Sequence, residues 1–375
     1  MCAALRGECP AWPDAPASGL HEALLARSAY HGVQPLLNEL LKLSDWPPAL
    51  LQHFRDQAFQ LAIWELQHQR QIMATLAALA KAGVQPILLK GTALAYSLYP
   101  APVLRTRGDT DLIIESQTRA RVDAALLELG FERDIAVSGE LVSYQGCYTR
   151  ADTGGESHTL DLHWRINNSE LLSRLFTHEE LLSQAQAAPS LGPFALIPSR
   201  VHSLLLACMH RGSHKHNPYY VDGVAHYGGD RLIWLYDIHL LAGRLTPVEW
   251  DEFVRLAAGK GLRAICLEAM ARAGGCFDTV YPEPVLAALA LAATGPTEPV
   301  ARYLGGSRAR QQWMDFCAIS GSRNKLRFLR ETTFPAADYM RHKYRGSGLD
   351  WLPLLYLHRA LAGLLKKMRN NRPDP

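Results

Sequence analysis

Three carboxylates carry the chemistry that this sequence suggests. Asp109 and Asp111 stand two apart in Asp109-Thr-Asp-Leu-Ile-Ile-Glu115, and Asp161 follows about fifty residues later. The segment 109–115 alternates acidic and apolar residues before becoming continuously apolar. It reads as a strand, and a period of two puts Asp109 and Asp111 on one face. If the strand holding Asp161 is a neighbour, three carboxylates converge as hard divalent cations require. An Asp-x-Asp at an exposed strand end can equally be a solvated edge. A second feature lies upstream. Lys90-Gly91-Thr92 falls between an apolar run, Pro86–Leu89, and a predicted helix, Ala93–Leu98, stopped by Pro100. Backbone N–H groups at such a junction favour anions. The turn is either a phosphate cradle or a plain strand-to-helix corner. It lacks the spacing of a Walker motif, and no G-x-G-x-x-G follows any predicted strand.

The elements that must position these residues can be read along the chain. From about Gly19 to Ala82 the pattern is helical. Phe54, Ala58, Leu61, Ile72, Leu76 and Leu79 recur at three- and four-residue steps or their multiples, and Gly83 stands at the expected C-cap. After residues 86–98 and 109–115 comes a helix over Gln117–Leu129, with Val122, Leu126 and Leu129 on one face and Gly130 closing it. Leu141–Thr149 reads as a strand, Asp152–Gly155 as a turn, and Thr159–Ile166 as the strand carrying Asp161 and His163. Residues 84–166 thus form one α/β unit. Beyond Ser199 the spacing predicts helices over Arg200–His210, Asp230–Ala242, Pro247–Gly259, Arg263–Arg272, Pro284–Ala292 and Trp351–Lys367. The segment Gly212–Gly229, rich in His, Tyr and Gly, is the one loop long enough to suspect of function.

Composition sets the outer limits. The chain has 375 residues, 48% hydrophobic and 20% charged, which excludes collagen, coiled coil and bulk disorder and allows two or three domains, or one domain wrapped by helical extensions. The net charge of +3 does not argue for nucleic acid. It is uneven: residues 321–375 hold twelve Lys/Arg against four acids, leaving the first 320 at −5. Seven scattered cysteines without a C-x-x-C argue against a disulfide framework or a common structural zinc site. No signal peptide is evident at the N-terminus, and no apolar run is long enough to span a bilayer. The expected setting is reducing and cytoplasmic.

The order of apolar strand, Gly-Thr, helix, Asp-x-Asp strand and distant Asp on a third strand is similar to the polymerase-β-type nucleotidyltransferase core. Several further motifs resemble the uncharacterised bacterial nucleotidyltransferases of that superfamily. They are Leu88-Leu-Lys-Gly91, Tyr99-Pro100, Arg105 with Gly108-Asp-Thr-Asp-Leu112, Leu160-Asp-Leu-His-Trp164, Arg231-Leu-Ile-Trp-Leu-Tyr-Asp-Ile238 and Phe334-Pro-Ala-Ala-Asp-Tyr-Met-Arg341. The likeness extends over most of the chain after about residue 50.

The resemblance implies an α+β fold: a small mixed β-sheet nucleotidyltransferase core (residues 83–199), an N-terminal helical segment (1–82) and a helical C-terminal domain (200–375). The active site is expected in the cleft between core and helical half. Asp109 and Asp111 would hold two Mg2+ ions, and Asp161 would share one of them or act as base to the acceptor hydroxyl. Gly91 and Thr92 would cradle the β- and γ-phosphates, with Lys90 or Arg105 countering their charge. The implied reaction is Mg2+-dependent transfer of a nucleoside monophosphate, AMP from ATP foremost, to an acceptor hydroxyl with release of pyrophosphate. The acceptor is a small molecule, a peptide or natural product, a protein or RNA, and nucleic acid is not required. Two alternatives stand beside it: kinase-like γ-phosphoryl transfer at the same site, and an inactive nucleotide-binding or scaffold protein. Two positions depart from the superfamily's habit. Gly-Thr preceded by Lys replaces Gly-Gly or Gly-Ser, and Thr110 replaces an aliphatic residue.

The helical half offers further candidates. His202, His210, His214, His216, His226 and His239 crowd together, and His210 and His214 share a face if their helix continues that far. They read as a zinc site, as part of a loop covering the nucleotide, or as histidines satisfied locally. His163 should share the strand face of Asp161, orienting it or packing beneath the sheet. Asp237 reads as a contact to nucleotide or acceptor, as a helix cap, or as a partner of Arg231. The apolar stretch Trp351–Leu364 followed by Lys366, Lys367, Arg369 and Arg372 suits a membrane surface or a bundle terminus.

Overall fold

The protein is described by a computed structural model that covers residues 1–137, 139–151, 157–221, 223–348 and 351–370, with side chains through residue 363. The predicted turn Asp152–Gly155 and the side chains of Lys366, Lys367, Arg369 and Arg372 lie outside the described residues. The fold is α+β. Its centre is a five-stranded mixed sheet in the order β1-β2-β5-β4-β3, comprising β1 (Ile87–Leu89), β2 (Asp109–Ile113), β3 (Glu132–Arg133), β4 (Gln145–Ala151) and β5 (Ser157–His163). Only β2 and β5 run parallel; the other neighbours are antiparallel. Parallel neighbours need a crossover. Here the helix Arg119–Glu128 with β3 and β4 supplies it.

Strand alternation divides the sheet's side chains between two apolar clusters. Leu88, Leu112, Leu160 and Leu162 pack with Ile72, Leu76 and Leu79 of the helix Pro48–Lys81 and with Val122 and Leu126. From the other face Ile87, Leu89 and Ile113 join a larger cluster. That cluster includes Leu94 and Leu98, Val201 and Leu204 of the helix Arg200–His214, and Ile233 and Ile238 of the helix Leu232–Ala242. The acids of β2 and β5 share this second face, so burying the leucines on one side turns the carboxylates toward the helical half.

The 34-residue helix Pro48–Lys81 starts on Pro47-Pro48 and ends before Gly83, whose φ of 68° suits a glycine. Of its predicted apolar stripe, Phe54, Ile72, Leu76 and Leu79 are buried while Ala58 and Leu61 are half-buried; between them Glu65 and His68 are buried instead. This polar interruption broke the periodicity, for a reason that lies beneath the site.

Other elements differ from the sequence reading. The helix after β1 covers Lys90–Ser97, so Lys-Gly-Thr is its first turn and no separate loop intervenes. β4 begins at Gln145, because residues 141–142 lie in a turn. The helix Arg200–His214 runs four residues beyond the expected end, and Gly212–Gly229 contains a hairpin of Tyr219–Val221 with Val224–His226. Four helices between residues 299 and 343, Pro299–Leu304, Arg308–Ala318, Ser322–Thr333 and Ala337–Lys343, were not foreseen. They are short, separated by Gly, Ser and Pro, and too poor in buried residues to leave a strong period. All seven cysteines are free thiols. Among the described residues no helix is long and apolar enough to cross a membrane.

Candidate active site

The parallel pairing of β2 with β5 builds the site. Its register sets Asp111 directly beside Asp161 and Ile113 beside His163. Period two keeps Asp109, Asp111, Asp161 and His163 on the cleft face. One ligand atom from each of Asp111, Asp161 and His163 lies within 4.8 Å of the others, the one such group among the described residues. Two carboxylate oxygens and an imidazole nitrogen suit a divalent ion. Asp109 lies outside that group but lines the same cleft, which has a volume of about 650 Å³. His163, which sequence reasoning left between orienting Asp161 and packing, donates from its Nε2 at 2.8 Å to Oδ1 of Asp111 instead. Its two-residue spacing from Asp161 was the available signal.

The first turn of the helix Lys90–Ser97 faces the same space. Lys90 has a left-handed backbone (φ 48°), a conformation that costs a non-glycine residue about 1–3 kcal/mol. This places its Nζ 2.5 Å from Asp111 Oδ1. Burial opposes ionisation of both partners, but their attraction, together with the His163 contact, outweighs it. The Asp111 carboxyl is held well below the usual range and the Lys90 ammonium above it. Asp109 behaves oppositely. Burial, then repulsion from Asp111 and Asp161, pushes it up to about 7. Burial and Asp111 raise Asp161 as well. Gly91 packs closely under the loop that precedes β2: a Cβ there would lie 3.3 Å from Arg107 Cβ and 3.5 Å from Arg105 Nη1.

Thr92, expected to face phosphate, turns its hydroxyl into the protein. It accepts from Arg107 Nε at 3.1 Å and lies 3.0 Å from Thr110 Oγ1. Thr110 points away from the carboxylates on either side of it, and its hydroxyl also meets His68 Nε2 at 2.8 Å. The buried Glu65 binds Arg107 at 2.7 Å and Tyr96 at 2.5 Å, while Trp64 stacks on His68 with ring centroids 4.2 Å apart. A polar network therefore anchors the back of β2 to the long helix. It accounts for the Thr in Asp-Thr-Asp and for the broken apolar stripe. Replacing Thr110 with Val should cost about 1–3 kcal/mol by stranding the buried Nε2 of His68. Urea unfolding measures this, and a loss below a few tenths would contradict the network.

Arg105 and Asp237 meet each other rather than open space. Arg105 Nη2 donates to Asp237 Oδ2 at 2.7 Å, its Nε lies 3.0 Å from both carboxylate oxygens, and Tyr99 OH donates to Oδ1 at 2.8 Å. Asp237 is thus the partner of Arg105 and not of Arg231. The pair ties the loop before β2 to the helix Leu232–Ala242, closing one side of the cleft. His210 and His214 lie on the facing wall, ring centroids 4.4 Å apart, with Trp234 edge-on to His210 at 5.2 Å. Burial, then neighbouring positive groups, pushes both imidazoles below their ordinary value. No third ligand joins them among the described residues. His202 and His239 have local partners, Ser199 and Glu180 for one and Thr279 for the other.

A mixed sheet carrying paired acids beside the N-terminus of a short helix, under a helical half, is the architecture of a nucleotidyltransferase-like protein. The family profile described as uncharacterised nucleotidyltransferase matches residues 20–278, and the chain belongs to that family. The match begins earlier than the motifs suggested, and it ends before Phe334–Arg341, which therefore lies outside it. No curated protein matches the chain significantly.

Proposed function

We propose that the protein is a metal-dependent nucleotidyltransferase that moves a nucleoside monophosphate, AMP from ATP foremost, onto an acceptor hydroxyl with release of pyrophosphate. The observation that carries this reading is the parallel register that sets Asp111 beside Asp161, with Asp109 on the same face of a cleft large enough for a nucleotide. Asp109, Asp111, Asp161 and His163 would hold divalent metal, Mg2+ in the simplest case. When bound, such an ion supplies charge neutralisation at the phosphates.

The chain's own residues do the rest. The α-phosphorus is attacked in line by the acceptor oxygen, the bond to the β-phosphate oxygen breaks, and pyrophosphate leaves. Rate enhancement comes mainly from positioning and fixed charge. Asp161, whose carboxyl burial and Asp111 raise, is suited to accept the acceptor's proton. Lys90 and Gly91, at the start of an eight-residue helix, line the cleft, and the backbone N–H groups of a helix's first turn suit phosphate oxygens. Lys90 fixes Asp111, and Arg105 with Asp237 fixes the wall beside it. We place the nucleotidyltransferase core at residues 83–199, between an N-terminal helical segment (1–82) and a helical C-terminal domain (200–375), and assign the protein to the cytoplasm.

Labelled nucleotides test the reaction class. With an acceptor extract, label at the α-phosphorus should enter an acceptor while pyrophosphate appears. Transfer of γ-label with formation of a nucleoside diphosphate would instead mean a kinase.

A further inference from the structure

Counting the charges that face the cleft separates satisfied cations from one that is not. Four basic side chains line it, Lys90, Arg105, Arg107 and Arg231. Lys90 is paired with Asp111, Arg105 with Asp237 and Arg107 with Glu65. Arg231 is only 6% exposed, yet no carboxylate among the described residues pairs with it. Its Nε donates to the carbonyl of Tyr30 at 2.6 Å, and its guanidinium carbon lies 3.6 Å from the Tyr219 ring centroid and 5.5 Å from that of Trp234. These contacts orient the group without neutralising it. A buried charge without a counter-charge is costly, and folds retain one mainly where a ligand supplies the opposite charge.

The placement is also built. Arg231 caps the start of the 11-residue helix Leu232–Ala242, whose dipole favours an anion at that end. His31 Nδ1 accepts from Leu232 N at 3.2 Å, so the N-terminal helix Leu20–His31 holds the arginine from two sides. Across the cleft, Asp109 and Asp161 have no cationic partner within ion-pairing distance among the described residues. The cleft is therefore bipolar, with unpaired acids on the sheet and one unpaired guanidinium on the helical wall. We propose that Arg231 binds the polyphosphate of the nucleotide, in place of the Lys90 or Arg105 that the motif comparison suggested. Its fork suits phosphate oxygens, whereas drawing Lys90 or Arg105 to phosphate would strand Asp111 or Asp237. This rests on the nucleotidyltransferase reading and gives it a charge partner on the second wall.

The test uses inorganic tripolyphosphate with Mg2+, titrated calorimetrically into the full chain and into Arg231→Met and Arg231→Lys. Arg231→Met should weaken binding about 10–100-fold, and Arg231→Lys by a smaller factor. The thermal midpoint of Arg231→Met should not fall, because the variant removes an uncompensated charge; a purely structural arginine would lower it. Wild-type affinity in Arg231→Met overturns the proposal. If that variant does not fold, Arg231→Lys decides, and unchanged affinity there is equally fatal. Failure of the parent reading looks different, since the wild type would then bind none of the four nucleoside triphosphates. Should it bind one of them but not tripolyphosphate, the Arg231 proposal alone falls.

Discussion

Asp109→Asn and Asp111→Asn should both abolish nucleotidyl transfer, yet they should move stability in opposite directions. Each removes a carboxylate that would hold the divalent metal, whose charge neutralisation at the phosphates is worth several kcal/mol, a loss on the order of 10³-fold or more in turnover. Asp111 is buried against Lys90 Nζ at 2.5 Å and His163 Nε2 at 2.8 Å. An amide in its place leaves a half-buried ammonium, its side chain 29% exposed, without its closest counter-charge, a destabilisation of about 1–3 kcal/mol. Asp109 has no cationic partner, and burial and its acidic neighbours raise its carboxyl to about 7. Because the folded form holds that proton more tightly than the unfolded form, the carboxyl's contribution to stability is intact at low pH. It is lost as pH rises from the unfolded carboxylate range, near 4, to about 7. In chelator, Asp109→Asn should therefore match wild type near pH 4 and exceed it by roughly 1 kcal/mol or more at pH 8. Equilibrium unfolding at the two pH values measures both signs. Equal and opposite-free behaviour of the two variants would contradict the assignment of Lys90 to Asp111.

The second large effect concerns Arg105 and Asp237, whose side chains are 8% and 4% exposed. Asp237→Asn leaves a buried guanidinium facing a neutral amide, whose single oxygen replaces the two that serve Arg105 and Tyr99. The expected loss is about 3–5 kcal/mol, a large fraction of the ~5–15 kcal/mol that holds a typical protein folded. Replacing both members with apolar residues, Arg105→Met with Asp237→Leu, should recover much of it, because the cost lies mainly in stranding one charge. Denaturant midpoints of the single and double variants decide the point. A single variant within 1 kcal/mol of wild type would mean that the pair is hydrated and that Arg105 is free for phosphate after all.

Much of this organisation was legible in the sequence because it rests on short periods. The alternation in residues 109–115 put the two acids on one face, and the order of motifs gave Asp161 a strand of its own, whose pairing with β2 only the structure supplies. The register of β2 with β5 then followed from burying Leu112 and Leu162 together, a choice that no local pattern states. What was not legible depends on contacts between distant segments. Lys90 and Arg105 look like phosphate ligands when only the family resemblance is known; their carboxylate partners lie 21 and 132 residues away. Thr110 looked like a departure from habit until His68, 42 residues upstream, proved to be its partner. Arg231 read in the sequence only as an alternative partner of Asp237, since only the pairing of every other cation in the cleft singles it out.

The central claim is that the carboxylate face binds a metal with a nucleoside triphosphate. The most direct measurement is calorimetric titration of each of the four nucleoside triphosphates with Mg2+ into the wild type and the Asp109→Asn/Asp111→Asn double variant. The account predicts micromolar binding of at least one nucleotide to the wild type and none to the variant. Equal binding to both, or none to either, would contradict it.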